Sequence, residues 1–413
     1  MVNEEPRGSG PVGEPSVGAV PSGSPVPAGR ELAAIRPLFA AGFVTAFGAH
    51  SIAANLASGA GDLADHLLAL GVLLALYDGA EVLLKPVFGS LADRVGPRPV
   101  LLGGLIAFAV ASAAFVVAGD PALLGLARFG QGAAAAAFSP AAGAMIARIA
   151  PDRRRGRAFG SYGAWKGLGY TLGPVLGGGL VVLGGYPLLF LTLTGLALVV
   201  TGWALVAVPA LPALPRARQT VLDLLRRLSG REFVLPTLAL GSSTAALASG
   251  VGFLPVLAAR AGLGPLAAGA AVSVLAAVAA LGQPWVGRAH DSGRLAIRAG
   301  IGAGLALTAA GVATPLAVAG LPGLLIAAVV IGLGTGLITP LAFTALAAAS
   351  PPERLGQTMG SAEIGRELGD AGGPLLVGAL GAAFGLASGL GGLAALLGLI
   401  AVAATGLRRD PPP

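Results

Sequence analysis

The stretch PDRRRGRAFGSYGAWKGLGYTLGPVLGG, residues 151–178, returns 200 positions later as PPERLGQTMGSAEIGRELGDAGGPLLVG, residues 351–378. The two copies share nine Gly, Pro, Ser or Arg residues at this single offset. In the first copy these are Pro151, Arg154, Gly156, Gly160, Ser161, Gly169, Gly173, Pro174 and Gly178. Glycine is abundant in this chain, so one match means little. Nine matches that include proline and arginine indicate an internal repeat.

A second set of matches lies upstream of the first. Pro86, Gly89 and Asp93 correspond to Pro284, Gly287 and Asp291 at an offset of 198. The two offsets are nearly equal, which indicates one unit of about 200 residues duplicated in parallel.

The composition is that of a membrane protein. Of the 413 residues, 55% are hydrophobic and 11% are charged, whereas a soluble domain carries about 25% charged residues. Apolar runs recur at lengths of about 20 residues, enough for a helix to cross the hydrocarbon core. Because these runs lack the alternation of barrel strands, we predict an all-α polytopic membrane protein.

Apolar windows between charged breaks predict twelve transmembrane helices, six in each copy of the repeat. The shortest connections are expected at Gly184–Gly185 and at Gly385. The predicted spans are residues 37–58, 66–91, 99–118, 121–147, 158–183, 187–209, 233–259, 266–287, 295–318, 322–349, 356–383 and 386–407. A parallel duplication of this kind places a substrate site near mid-membrane between the halves.

Basic residues predict the orientation, because they are retained in cytoplasmic segments. With the N-terminus inside, 21 of the 26 Lys and Arg residues fall in cytoplasmic segments, and the outer loops hold only Arg260. Both termini are therefore expected in the cytoplasm of a multi-pass inner-membrane (cell-membrane) protein. The cluster Arg153–Arg157 fits this topology, and binding of nucleic acid or anionic lipid is the alternative explanation for it.

The charged breaks also predict the domain organisation. Residues 1–36 are rich in Pro, Gly, Ser and Val, and we expect a disordered cytoplasmic tail and not a signal peptide. A six-helix half is expected at 37–209, an inter-half loop at 210–232, the second half at 233–407 and a short tail at 408–413. In the loop, Val221, Leu222, Leu225 and Leu228 share one helical face. This pattern predicts an amphipathic helix on the inner membrane surface.

Three motifs accompany the repeat. GSLADRVGPRPVLLGG, residues 89–104, follows the second span, RFGQG, residues 128–132, lies in the fourth, and a Gly-Pro pair with regularly spaced glycines lies in the fifth. Together they resemble the major facilitator superfamily over residues 37–407, and within it the twelve-helix drug:proton antiporters. Two features depart from the family pattern. Pro97 stands where a basic residue is commoner, and span 1 lacks an acidic residue, offering only His50 and Asn55.

The resemblance implies a role for each motif. The loop after span 2 is expected to form a gate that stabilises the outward-facing state, with Asp93 capping a neighbouring helix N-terminus. Its residues are Gly89, Asp93, Arg94, Gly96 and Arg98. The motif of span 5 is expected to favour exchange over uniport, and helix packing alone is the alternative. Its residues are Gly160, Gly169, Gly173, Pro174, Gly177 and Gly178. The residues expected in the substrate cavity are His50, Asn55 and Gln131.

Charged residues inside membrane spans are costly and functional by default. Here they are the acids Asp78, Glu81, Glu363, Glu367 and Asp370 and the bases Lys85, Arg128, Lys166 and Arg366. The resemblance implies that spans 2 and 11 meet between the halves. Depth, at about 1.5 Å per residue, then sets Lys85 opposite Glu363 or Glu367. By the same measure, Glu81 is expected opposite Arg366.

Five acids against four bases leave one carboxylate without a partner. A desolvated carboxylate without a counter-charge can take up a proton near neutral pH, as a proton-coupled carrier requires. Asp78 and Asp370 lie farthest from the bases and are the candidates for this group. Fixed structural pairing of all the charges is the alternative. Arg128 is expected to serve a proton relay, by the family pattern, or to bind an anionic substrate.

The predicted function is export of a small amphipathic organic compound in exchange for protons. Transport of an organic anion by the intramembrane bases is the alternative, and the two differ in whether those bases are paired or free. The chain has no cysteine and three scattered histidines, and it shows no P-loop. We therefore expect no cofactor, no metal and no enzymatic reaction. The expected partners are the bilayer, the transported molecule and protons, without nucleic acid, and the protein is expected to be a monomer.

Overall fold

The computed structural model describes residues 30–58, 63–118, 120–215 and 221–406. All regular structure within these ranges is helical. The α-helices are α1 (Arg30–Ser58), α2 (Leu63–Val95), α3 (Pro97–Val117), α4 (Pro121–Ile149), α5 (Arg155–Ala207), α6 (Val221–Ser229), α7 (Arg231–Arg260), α8 (Pro265–Asp291), α9 (Ile297–Ala317), α10 (Gly320–Ala348), α11 (Leu355–Phe384) and α12 (Leu386–Gly406). Short 3₁₀ turns at Asp152–Arg154 and Pro352–Arg354 precede α5 and α11.

Helix α5 contains two membrane spans. Gly184 and Gly185 leave the helical conformation within it, and Gly185 has a φ of 70°, which glycine adopts without strain. Gly385, with a φ of 89°, makes the corresponding turn between α11 and α12. Both predicted turns are confirmed. The twelve predicted spans correspond to α1–α4, the two arms of α5, and α7–α12, while α6 is the short helix predicted in the long loop.

The largest difference between an observed helix start and its predicted boundary is in α1. Helix α1 begins at Arg30 and not at residue 37, so the end of the expected disordered tail is helical. Ala34 and Ile35 explain the difference, because both are buried against the core of the first half and stabilise the added turns. Helix α7 begins at Arg231, two residues before the predicted start. The rest of the predicted N-terminal tail and residues 407–413 lie outside the described residues.

The packing of the helices follows the duplication. In the first half α1 packs on α5, α2 on α4, and α3 on both α4 and α5; in the second half α7 packs on α11, and α9 on α10 and α12. Between the halves, α2 packs on α11 and α5 packs on α8. Phe159 of α5 also stacks on Phe343 of α10, with ring centroids 5.7 Å apart. The molecule is an all-α bundle of two homologous six-helix halves.

The helices are long and apolar enough for a bilayer. By length and composition, eight helical segments of the described residues qualify to cross a membrane, and one of these, Asp152–Ala207, contains two spans. Helices α2 and α11 are not among the eight. These two helices carry most of the charged residues that lie inside predicted spans.

Candidate functional site

Lys85 lies at the centre of a buried charge cluster between the two halves. Its side chain is 1% exposed, and its Nζ donates to Glu81 at 2.9 Å, Glu363 at 3.3 Å and Glu367 at 2.5 Å. Glu81 belongs to α2, as Lys85 does, whereas Glu363 and Glu367 belong to α11. A buried ammonium needs counter-charge, and here it receives three carboxylates from both sides of the seam.

Two further bases approach Glu363, which is itself 3% exposed. Lys166 Nζ of α5 lies 3.8 Å from Glu363 Oε2 and donates to Ser139 at 3.4 Å. Arg366 Nη1 lies 3.5 Å from the same oxygen, and its Nη2 donates to the Tyr170 hydroxyl at 2.9 Å. One carboxylate is therefore shared by bases from α2, α5 and α11.

Of the contacts expected from depth along the helices, those of Lys85 are present and that between Glu81 and Arg366 is wrong. Lys85 does face both Glu363 and Glu367. The expected contact between Glu81 and Arg366 is not formed among the described residues. Glu81 bonds to Lys85 and accepts from the Tyr77 hydroxyl at 3.4 Å, whereas Arg366 turns to Glu363 and Tyr170. Depth alone does not fix rotation about the helix axis, and rotation decides these partners.

Arg128 forms a second buried site in α4. It is 2% exposed, its Nη1 lies 3.4 Å from Gln131 Oε1, and its guanidinium lies 4.3 Å from the centre of the Tyr77 ring. Gln131, fully buried, donates in turn to Ser112 at 2.9 Å. Within the described residues, Arg128 has no carboxylate at salt-bridge distance, and its Nε has no hydrogen-bond partner. Its charge is met by an aromatic face and one amide.

Asp78 and Asp370 differ from the other intramembrane acids because both are exposed. Neither forms a hydrogen bond or an ion pair within the described residues. Asp370 lies close enough to Asp78 and Glu367 for their charges to interact. His50 is also exposed, and its ring centroid lies 4.3 Å from that of Tyr170, with the two ring planes tilted by 53°. Asn55 lies in the same helix as His50, and its side chain falls outside the described residues.

The two halves meet closely at the end of the bundle that contains Asp93, called the Asp93 end below. Asp93 accepts from the backbone N–H groups of Gly356 at 2.7 Å and Gln357 at 2.8 Å, in the first turn of α11. A helix N-terminus offers unpaired N–H groups and a positive dipole, so a carboxylate is stabilised there. The predicted capping contact is confirmed. Beside it, Gly89 packs against the backbone of Gly356 with no room for a Cβ.

The second half repeats this contact with the roles of the halves exchanged. Asp291 accepts from the N–H groups of Gly156 at 2.9 Å and Arg157 at 2.8 Å, in the first turn of α5. Gly287 packs against Gly156 as Gly89 packs against Gly356. The sequence comparison paired Asp291 with Asp93, but it did not identify Asp291 as a cap. The signal was the repeat itself, since an offset of 198 relates Asp93 to Asp291 and an offset of 200 relates the partners Gly156 and Gly356.

The other residues of the predicted gate have separate positions. Gly96, with a φ of 93°, directly precedes the first residue of α3. Arg98 donates to the Leu205 carbonyl at 2.6 Å at the end of α5. Arg94 is exposed. Only Gly89 and Asp93 of this motif contact the other half among the described residues.

The glycines of the span 5 motif serve two contacts. Gly160 faces the backbone of Gln283 in α8, across the seam. Gly169 and Gly173 instead face the backbones of Phe43 and Phe47 in α1, within the same half. The motif continues through Pro174 and Gly178, which are half-buried, and Gly177, which is buried. Gly160 therefore lies at the seam, whereas Gly169 and Gly173 pack within the first half.

These features fit one family. The sequence model of the Major Facilitator Superfamily matches residues 38–303 and 292–413. The chain belongs to the Major Facilitator Superfamily. It is therefore a multi-pass membrane transporter and not an enzyme. Among the described residues, no group of three or more His, Asp or Glu is arranged to hold a metal ion.

Two bacterial resistance proteins are similar to part of this chain. The quinolone resistance protein NorA of Staphylococcus aureus is 33% identical over 109 residues, which are 26% of this chain and 28% of NorA. The class E tetracycline resistance protein of Escherichia coli is 40% identical over 108 residues, 26% of each chain. The matched region thus spans about a quarter of the length of these curated relatives.

Solved structures match over nearly the whole chain. The human organic anion transporter MFSD10 has a TM-score of 0.76 at 19% identity, covering 91% of this chain and 99% of its own. The fucose:proton symporter FucP of Escherichia coli has a TM-score of 0.73 at 16% identity, covering 92% and 100%. At these identities the likeness shows the fold alone.

Proposed function

We propose that this superfamily member exports a small amphipathic organic compound, cationic or neutral, in exchange for protons. The observation that carries the proposal is the distribution of charge along the seam. Lys85, Lys166 and Arg366 are engaged by Glu363 and its neighbours, while the carboxylates of Asp78 and Asp370 are exposed. A site with exposed carboxylates and paired basic groups attracts protons and cations more strongly than anions.

The two partial relatives support efflux. Their names record resistance to quinolones and to tetracycline, and resistance by a membrane carrier is achieved by moving a compound out of the cell. We propose the same direction of transport, out of the cell, for the present chain. The sequence match to these relatives covers only about a quarter of their length.

The proposed orientation follows from the arginines. Arg153, Arg154 and Arg157 lie at the Asp93 end, beside the Asp291 cap, and basic residues favour the cytoplasmic side. With the Asp93 end and both termini in the cytoplasm of the cell membrane, the exposed acids Asp78 and Asp370 face outward. The closed Asp93 end then makes this the outward-open state.

In the proposed cycle, protonation of an exposed carboxylate allows the outer side of the protein to close. A proton from outside neutralises Asp78 or Asp370, which lowers the desolvation cost of closing the outer side. The Asp93 end then opens, breaking the caps of Asp93 and Asp291, and a compound from the cytoplasm displaces the proton. Arg128 interacts electrostatically with Asp78, and we assign both to this coupling unit. The span 5 glycines are proposed to keep α5 close to α1 and α8 through these movements.

Organic-anion transport is the alternative. Arg128 favours it, because this base lacks a carboxylate at salt-bridge distance among the described residues. Arg128 is, however, 2% exposed, so an anion reaches it only after a rearrangement. One of the solved neighbours is an organic anion transporter, but its 19% identity carries the fold and not the substrate.

The test is proton movement in proteoliposomes under an imposed pH gradient. Cationic, neutral and anionic amphipathic compounds are added to the wild type and to Asp78→Asn, with a pH-sensitive dye on the inside. We expect cationic or neutral compounds to trigger proton flux in the wild type, and the substitution to reduce it. Compounds that cross without moving protons would overturn the antiport proposal. Flux triggered by anions alone would favour the alternative.

A further inference from the structure

A pocket of about 420 Å³ opens at the Asp93 end, and Asp78 is not among its lining residues. It lies where α6, the start of α7, the end of α10 and the start of α11 meet. Its charged lining consists of Arg226, Arg227, Arg231 and Glu232, and Ser350 and Thr358 add hydroxyl groups. The lining thus contains three guanidinium groups and one carboxylate, and Arg354, Asp93 and Glu353 also act on the charge of Arg227. Four bases against three acids leave the pocket electropositive.

Arg227 is the deepest of the three arginines. It is half-buried, and its Nη2 donates to Gln357 Oε1 at 2.6 Å. Its Nε and Nη1 are buried and have no hydrogen-bond partner in the part of the chain that the structure describes. Burial and the charge of Arg354 lower the pKa of the Arg227 guanidinium. Buried donors of a charged group are costly when unpaired, so this arginine lacks an acceptor that a ligand can supply.

The chemistry of the missing acceptor follows from the donors. Guanidinium groups bind phosphate oxygens through paired N–H donors, and several arginines around one pocket favour a multiply coordinated oxyanion. The Thr358 hydroxyl offers a further donor, whereas the Ser350 hydroxyl donates to the Leu346 carbonyl at 2.5 Å. Leu222, on the same short helix, is 54% exposed, so α6 also presents an apolar side chain where a lipid surface would meet it.

The pocket is linked to the gate through one residue. Gln357 holds Arg227 with its side chain and donates its backbone N–H to Asp93 at 2.8 Å. An anion that fixes Arg227 therefore fixes α6 against the first turn of α11, where the Asp93 cap is made. We propose that this pocket binds a phosphate-bearing anion, and that binding stabilises the closed Asp93 end. This inference is independent of which compound is transported.

The phosphate group could belong to a phospholipid headgroup or to a soluble anion, and the experiment separates the two sources. The full chain is placed in phosphatidylcholine nanodiscs, in nanodiscs that also contain phosphatidylglycerol, and in the first kind with added inorganic phosphate at constant ionic strength. The readouts are the melting temperature and the distance between spin labels at Val117→Cys and Val318→Cys, both at the end opposite Asp93.

The test variant is Arg226→Ala/Arg231→Ala, which keeps Arg227 and its bond to Gln357. The matched control is Arg153→Ala/Arg157→Ala, which removes the same charge from the same end of the molecule outside the pocket. A second variant, Arg227→Gln, removes the central guanidinium and keeps a polar side chain of similar reach.

We expect one anion source to raise the melting temperature saturably and to increase the long-distance population. The test variant is expected to weaken this effect about tenfold in apparent affinity, and the control to retain it. Response to phosphatidylglycerol alone assigns a lipid headgroup, and response to inorganic phosphate assigns a soluble anion. Equal loss in test and control variants, or no response to either anion in the wild type, would overturn the proposal.

Discussion

Replacing Gly156 with alanine perturbs the close approach of the two halves at the Asp93 end. A Cβ at this position would lie 2.7 Å from Asp291 Oδ1 and 2.8 Å from the Gly287 carbonyl oxygen. Ordinary carbon–oxygen contacts lie at about 3.3–3.6 Å. The Gly287 oxygen belongs to a helix backbone, so relief requires α5 and α8 to separate by about 0.6 Å.

A separation of this size weakens the Asp291 cap. The bonds from Gly156 N–H at 2.9 Å and Arg157 N–H at 2.8 Å would both stretch past the usual limit of about 3.2 Å. Hydrogen bonds to a charged group contribute about 1.5–3 kcal/mol each. Taking the two weakened bonds together at about 3 kcal/mol, the closed Asp93 end loses about a hundredfold in relative population. The helix propensity gained by alanine acts in both states and cancels.

The assay is the distance between nitroxide labels at Val117→Cys and Val318→Cys, measured by pulsed electron resonance. The chain has no cysteine of its own, so both labels attach selectively. Val117 ends α3 and Val318 follows α9, and both side chains are exposed at the end opposite Asp93. Opening of the Asp93 end brings these two positions together.

We expect a long-distance population in the labelled parent and a shorter one in Gly156→Ala. Gly103→Ala is the control, because it has the same change in helix propensity and a Cβ there meets no atom within 4 Å. If Gly156→Ala keeps the long distance of the parent, the close approach does not hold the closed state and the reasoning fails.

The remaining predictions concern charges. Lys85→Met leaves the buried carboxylate of Glu363 and the half-buried ones of Glu81 and Glu367 without their shared counter-charge. We therefore expect a loss of about 3–5 kcal/mol and a lower melting temperature in detergent. Lys85→Arg is the control that keeps the charge, and equal melting of Lys85→Met and the wild type would contradict the cluster. Asp93→Asn weakens a charge–dipole contact by about 0.3–2 kcal/mol, so its shift in label distance should be smaller than that of Gly156→Ala. Asp291→Asn should give a shift of similar size, because the two caps are equivalent, and a shift in only one of them would show that they are not.

Much of the fold follows from the sequence. Apolar lengths indicate the spans, and glycines of positive φ make the turns, as at Gly185 and Gly385. The family resemblance implied that α2 meets α11. The repeat extends this contact to α5 and α8, since the same small residues recur at both approaches. Backbone approach of this kind needs glycine, so it leaves a trace in the sequence.

The side-chain partners within the charge cluster were less predictable from the sequence. Position along a helix gave the depth of Lys85 and Glu363, but each side chain selects among several partners at one depth. Arg366 thus turned to Tyr170, an uncharged residue that charge counting ignores. The pocket around Arg227 was equally hard to predict, because it forms between two helix pairs, α6–α7 and α10–α11, that are distant from each other in sequence.

The measurement that tests proton exchange most directly is proton release on binding. Purified protein in weakly buffered detergent is mixed with a compound that it transports, and the change in pH is recorded for the wild type and for Asp78→Asn/Asp370→Asn. If compound and proton compete for the exposed carboxylates, the wild type releases protons on binding and the double variant releases none. Binding to the wild type without proton release, or equal release from the double variant, would contradict the account.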